Sequence, residues 1–255
     1  MNGKQDYIAV FDSGVGGISV LRQLRKTLPG ERFLYYGDSA NAPYGTRTTR
    51  EVRRLVLNVA DKLIPRGVKA LVVACNTATA AAIDDLRQAH PELIVVGVEP
   101  ALKPAADRFP GGTIGVLATP VTLREEKFNH LVERFSDHCR GVRLPAPGLV
   151  ELVEAGKANS PASEALLREL LTPWLGRLDA VVLGCTHYPF AAETIVRILG
   201  ADVPVFDGGE GTARETRRRL KAAGLLAEGT GEILLENSSS DPALIRLSRK
   251  LLEQP

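Results

Sequence analysis

Two of the three cysteines in this 255-residue chain stand where a thiol can act on a substrate. Lys69-Ala70-Leu71-Val72-Val73-Ala74 runs into Cys75-Asn76-Thr77, and Asp179-Ala180-Val181-Val182-Leu183-Gly184 runs into Cys185-Thr186-His187. Each apolar run is rich in β-branched residues and reads as a strand buried on both faces of a parallel sheet. At the carboxyl end of such a strand the chain leaves the core, and side chains and helix N-terminal amides face a ligand crevice. A helix start lowers the pKa of a thiol placed on it and converts part of the population to thiolate. One cysteine in that position is more often inert packing. The same context found twice makes Cys75 and Cys185 candidates, whereas Cys139, next to His138 with no motif around it, reads as packing.

Three kinds of chemistry use a thiol pair. Redox exchange normally places the two close in sequence, as in Cys-x-x-Cys, and that spacing is absent. Metal binding needs further ligands at tight spacing; His187 lies two residues from Cys185, but nothing near Cys75 completes a set, so no metal is expected. Proton transfer at one carbon from opposite faces needs two bases of similar strength flanking a planar intermediate, which two halves related by a pseudo-twofold axis supply. Stereoinversion fits best. No lysine stands at an equivalent strand end, which argues against a Schiff base with a pyridoxal group, and no cofactor is expected.

The elements that would carry these residues follow an alternating βα pattern. Tyr7 to Phe11 is a strand running into Asp12-Ser13-Gly14-Val15-Gly16-Gly17, followed by helically spaced Ile18, Leu21, Leu24 and Leu28. The loop resembles a nucleotide fingerprint but reads Gly-x-Gly-Gly, with Ser19 where the third glycine belongs, and Asp12 would repel a pyrophosphate. Phe33 to Gly37 is a strand opening into Asp38 to Thr46, a polar loop expected to wall the ligand crevice. Further strands are expected at 93–98, 113–118, 203–206 and 232–236. Thr119 caps a helix expected to reach the neighbourhood of Asp137, and Asp207 with Glu210 has capping-box spacing. The cluster Arg214, Arg217, Arg218, Arg219 and Lys221 reads as the wet face of an amphipathic helix. The restart of the pattern divides the chain into a first αβ domain, residues 1–98 plus 208–255, and a second, residues 99–207.

Charge and composition bound the rest. Thirty-two Lys plus Arg against thirty Asp plus Glu leave no global field to draw the chain to nucleic acid or anionic lipid. No apolar run reaches membrane-spanning length, and the first residues lack a signal-peptide pattern, so a cytoplasmic protein with reduced thiols is expected.

Asp12-Ser13-Gly14-Val15-Gly16-Gly17, Tyr36-Gly37-Asp38, Pro43-Tyr44-Gly45, Cys75-Asn76-Thr77-Ala78 and Gly184-Cys185-Thr186-His187-Tyr188-Pro189 resemble the successive signatures of the glutamate racemase family. That resemblance, spanning residues 7 to about 207, implies an α/β fold of two similar doubly wound domains with mainly parallel sheets and the active site in the cleft between them. It implies cofactor-independent interconversion of L- and D-glutamate, supplying D-glutamate for peptidoglycan, by a homodimer. By the same resemblance Cys75 and Cys185 are the acid/base pair, Asp12 assists the Cys75 side, and His187 assists the Cys185 side. The family glutamate maps onto Glu154, with Glu151 a second acid in the same turn. Substrate contacts carry over to Asp12, Ser13, Tyr44, Gly45, Asn76, Thr77, Thr186 and His187, with Thr119 and Thr122 beside them. Two alternatives stay open: an aspartate or hydantoin racemase of the superfamily, and a nucleotide- or anion-binding module built on the Asp12 to Gly17 loop.

Overall fold

The computed structural model describes residues 3–254 and, within them, all side chains but that of Lys127. The chain alternates strand and helix: β1 (Tyr7–Asp12), α1 (Ile18–Thr27), β2 (Arg32–Gly37), α2 (Thr49–Leu63), β3 (Val68–Val73), α3 (Asn76–Ala89) and β4 (Ile94–Gly97). It continues with α4 (Leu102–Arg108), β5 (Thr113–Ala118), α5 (Pro120–Arg124), α6 (Glu126–Arg134), β6 (Arg140–Pro145), α7 (Leu149–Glu154), α8 (Pro161–Leu171) and β7 (Ala180–Gly184). The last elements are α9 (Ala192–Leu199), β8 (Val205–Asp207), α10 (Gly209–Ala222), β9 (Glu232–Asn237) and α11 (Pro242–Glu253).

The strands form two sheets in which every pair is parallel. The first has the order β4-β3-β1-β2-β9, and the second, read in the same sense, β8-β7-β5-β6. The first four strands of each half are therefore laid down in one order. β1 corresponds to β5 and β3 to β7, so the two cysteine-bearing strand ends are topological equivalents. In each half the chain reverses its winding direction between these two strands, and the carboxyl end of that gap is where such sheets bind ligands. β9 adds to the outer edge of β2, and α10 lies close to α1.

Strands β1, β3 and β7 are buried on both faces, as their apolar runs require. β6 is the strand that the sequence pattern misses. It lies at the edge of the second sheet, and only Leu144 of its Arg-Gly-Val-Arg-Leu-Pro stretch is buried, so it carries no apolar run to read. The helix expected from Thr119 to the Asp137 region is instead two helices. Glu125 between them is extended, with φ −66° and ψ 141°, and its carboxylate accepts the Thr49 hydroxyl at 2.5 Å. The Asp207 and Glu210 capping box does not form: Asp207 accepts the Gly209 N–H at 2.7 Å and Glu210 pairs with Arg214 at 2.6 Å. Arg218 and Arg219 both pair with Glu215, consistent with a solvated helix face.

At the opposite end of the first sheet from the cysteines, Lys69 and Glu31 form an ion pair, 2.5 Å apart, with side chains 0% and 1% exposed. Lys69 also donates to the carbonyls of Lys4 and Leu225, and Glu31 accepts the Ala227 N–H. The pair fastens the segment between α10 and β9 to the strand that carries Cys75. Removing one member strands a buried charge, which costs more than the pair itself contributes. Lys69→Met should lower the unfolding free energy by about 3–5 kcal/mol, and Lys69→Met/Glu31→Leu should recover a large part of it. Urea denaturation of both variants measures this; a double variant less stable than the single one contradicts it.

Candidate active site

Both sulfurs line one small cavity between the carboxyl ends of the two sheets, together with Ser13, Tyr44, Asn76 and His187. Gly45, Thr77, Thr119 and Thr186 complete the predicted set on its wall. Asp12, Thr122 and Glu154 stand one hydrogen bond behind it. The free space is about 10 Å³, close to what a single water needs. A larger ligand needs this space to widen.

The surroundings of the two thiols differ. Cys75 caps α3, and its sulfur accepts the Ala78 N–H at 3.4 Å. Its thiol is 3.5 Å from the Ser13 hydroxyl, which in turn lies 3.4 Å from Asp12 Oδ1. A proton can pass along Cys75, Ser13 and Asp12. Burial pushes the Cys75 thiol up to about 12, and the Asp12 charge adds to this, while the bonds to Ser13 and Ala78 oppose it. Asp12 is wholly buried, which raises its carboxyl above the ordinary range, although His187 and the bonds from Thr186 and Gly14 pull the other way.

Cys185 is not followed by a regular helix, contrary to the sequence reading. A short 3-10 turn, Tyr188–Ala191, intervenes, and its Pro189 has no N–H to offer. The Cys185 sulfur instead lies 3.8 Å from His187 Nδ1, and His187 Nε2 is 2.7 Å from Glu154 Oε1. Burial disfavours the imidazolium, but the hydrogen bonds and charges of Cys185 and Glu154 outweigh it, and His187 rises well above its ordinary value. Burial would raise Glu154, yet the bond and charge of His187 and the Val15 N–H hold it below the usual carboxylate range. One cysteine thus sits beside a protonated imidazole, and the other keeps its proton beside a carboxyl. Of the two acids in the α7 turn, Glu154 reaches the site and Glu151 is exposed.

The glycine loop is explained by this arrangement. Two of its N–H groups are already used, Gly14 donating to Asp12 at 2.9 Å and Val15 to Glu154 at 2.7 Å, and at the start of α1 Ile18 and Ser19 close turns on Val15 and Gly16. A Cβ on Gly14 would lie 1.9 Å from Glu154 Oε1, and one on Gly16 2.3 Å from His187 Nδ1. The glycines admit a carboxylate and an imidazole of the protein itself, not a phosphate, and the nucleotide-module reading loses its binding loop.

The polar loop after β2 does wall the cavity. Tyr44 is buried, and its hydroxyl donates to Asp38 at 2.7 Å; Asn41 binds the same carboxylate. Across the cavity the hydroxyls of Thr77, Thr119 and Thr122 lie 3.0–3.1 Å from one another, joining the start of α3 to the start of α5. Asp12 Oδ2 accepts the Thr186 hydroxyl at 2.8 Å, another bond between the halves. Sequence reasoning did not place Pro43 and Val150 on the wall. Pro43 lies inside a motif that was noticed, whereas Val150 is one apolar residue among several on α7 and carries no local signal.

A family model described as Asp/Glu/Hydantoin racemase matches residues 15–216. The chain belongs to that racemase family. Within it, the chain is 47% identical over 256 residues to a glutamate racemase of Clostridium acetobutylicum, covering 99% of this chain and 100% of that one. The crystal structure of the Thermus thermophilus glutamate racemase in complex with beta-chloro-D-alanine superposes with a TM-score of 0.82 at 38% identity, covering 99% of this chain and 94% of that one. The Escherichia coli glutamate racemase, solved with L-glutamate and the activator UDP-MurNAc-Ala, gives 0.84 at 32% identity, with 97% and 95% covered. The racemase fold is thus shared along nearly the whole chain.

Gly14→Ala should displace the Glu154 carboxylate and lower kcat/KM by about 100-fold, the size expected when a site group is moved by an ångström. The same change in a Glu154→Ala background should cost little more, because the two act through one contact. Steady-state kinetics of the four proteins decide this; additive losses would show that Gly14 matters for another reason.

Proposed function

We propose that this protein is a glutamate racemase that works without a cofactor, with Cys75 and Cys185 as the bases on opposite faces of the α-carbon. The observation that carries this reading is that Cys75 and Cys185 line one cavity at equivalent strand ends. The racemases of known structure that it resembles support the substrate, one of them solved with L-glutamate.

In one direction the Cys185 thiolate, paired with the His187 imidazolium, removes the α-proton. The C–H bond breaks, an S–H bond forms, and the electron pair passes to the α-carbon and its carboxylate. The Cys75 thiol gives its proton to the other face, and the reverse reaction exchanges the roles. The relay from Cys75 through Ser13 to Asp12 is a route by which Cys75 exchanges its proton between turnovers. Burial around the site keeps these charges from being screened by water. Asn76 Oδ1 is buried with no hydrogen-bond partner among the described residues and is an acceptor for the substrate ammonium. The Thr77, Thr119 and Thr122 hydroxyls can turn from one another to donate to carboxylates without the help of an arginine, whereas the Thr186 hydroxyl donates to Asp12.

No helix among the described residues is long and apolar enough to cross a membrane. We infer a cytoplasmic homodimer of two domains, residues 1–98 plus 208–255 and residues 99–207, supplying D-glutamate for peptidoglycan. The two parallel sheets and the family resemblance support this, and light scattering tests the dimer.

Racemisation in deuterated water should place deuterium at the α-carbon of the product. Cys75→Ala and Cys185→Ala should each lose at least about 1000-fold in racemisation, as expected when an acid/base group is removed. Each should still exchange the α-proton of one enantiomer, a different one in each variant. Circular dichroism and proton NMR with L- and D-glutamate measure this, with aspartate as the competing substrate. Near-normal turnover in both variants would end the two-base reading.

The pH dependence has a definite sign. Glu154 helps to hold the His187 proton, so Glu154→Gln lowers the His187 pKa. The protonated form is then lost at lower pH, and the alkaline limb of the kcat/KM profile should move to lower pH. An unmoved limb would show that the pair is not coupled to turnover.

A further inference from the structure

Ser19 stands on α1 where a nucleotide-binding loop would carry its third glycine. It is buried, and its Oγ lies 2.9 Å from the Gly16 carbonyl oxygen and 2.9 Å from the Thr186 carbonyl oxygen. A serine hydroxyl carries one proton. It therefore donates to one carbonyl at a time and faces the other oxygen to oxygen.

The two carbonyls are not equally provided for. Gly16 also accepts the Ser19 N–H at 3.0 Å, whichever way the hydroxyl points. The turn N–H that would bond Thr186 belongs to residue 189, which is proline and has none. Ser19 is the donor that reaches the Thr186 carbonyl among the described residues. A buried carbonyl without a donor is costly, so the hydroxyl proton belongs on Thr186 while the cavity is closed.

We infer that Ser19 is a latch between the two halves and the positioning residue for the turn that carries Cys185 and His187. When the halves part to admit substrate, the Thr186 carbonyl meets water and the hydroxyl turns to Gly16. When they close, the proton returns to Thr186 and draws the turn against the glycine loop, where His187 packs on Gly16. Because Gly16 keeps its N–H bond in both states, the exchange favours closure without obstructing opening. This rests on Cys185 being one of the two bases.

The test compares Ser19→Ala, which removes the hydroxyl, with Ser19→Thr, which keeps it. In Ser19→Ala, kcat/KM should fall roughly tenfold, the loss expected for one unsatisfied buried carbonyl. The primary isotope effect with α-deuterated glutamate should rise for the enantiomer whose proton goes to Cys185, identified as the one still exchanged by Cys75→Ala. The effect for the other enantiomer should fall, because reprotonation by Cys185 then limits that direction. Amide hydrogen exchange across residues 184–191 should quicken about fivefold in the same variant, and Ser19→Thr should restore both readouts. The amide exchange judges the latch even if the wild type shows no solvent deuterium at the α-carbon, the result that would end the two-base reading. Unchanged exchange and rate in Ser19→Ala, isotope effects that move equally for both enantiomers, or equal losses in both variants would overturn the latch.

Discussion

The carboxylate of Glu154 is shared between the His187 imidazole, which is its neighbour in the second half, and the Val15 N–H, which belongs to the first. Much of the site depends on this one half-buried acceptor. It keeps His187 charged, fixes the ring beside the Cys185 sulfur, and fastens the glycine loop of one sheet to the cysteine turn of the other. A carboxylate this deeply placed is tolerable because it is paired and accepts more than one bond. The absence of side chains at Gly14 and Gly16 is the steric condition for the arrangement.

A matched topology thus carries unmatched chemistry. The two sheets share one strand order and present their cysteines at equivalent ends, which places two thiols about a common centre. Their protonation is set by what lies behind each. Cys75 is backed by a hydroxyl and a buried carboxyl, and Cys185 by an imidazole and a carboxylate. The same symmetry that brings the two thiols to one cavity leaves the groups behind them free to differ, so one thiol holds a proton while a cation stands beside the other.

At the site the halves are joined by polar contacts, Thr186 with Asp12, Ser19 with Thr186, Val15 with Glu154, and Thr77 with Thr119 and Thr122, while beside it Val153 and Phe190 of the second half are buried in the apolar core of the first. Hydrogen bonds of this kind break individually at modest cost and are replaced by water when the surfaces separate. With free space near that of one water, the cleft has to widen for a substrate, and the hydroxyls and amides that line it can exchange their partners for water or substrate as it does.

The buried parallel strands were legible in the sequence because a strand covered on both faces is an unbroken apolar run, as in β1, β3 and β7. Edge strand β6 was not, since one of its faces is wet and its pattern is mixed. The break at Glu125 was also hidden, because it depends on a hydroxyl contributed by Thr49, far away in the chain. The cysteines, the small polar residues after them, Asp12 and His187 were readable from local context and motif. Which of Glu151 and Glu154 serves the site, that Ser19 meets Thr186, and that the glycines make room for side chains of the protein itself were decided by the tertiary structure alone. The sequence by itself determined residue types and their periodicity, which depend on neighbours along the chain. Distances and protonation depend on neighbours in space, and for a site divided between two halves those neighbours exist only once the halves have packed.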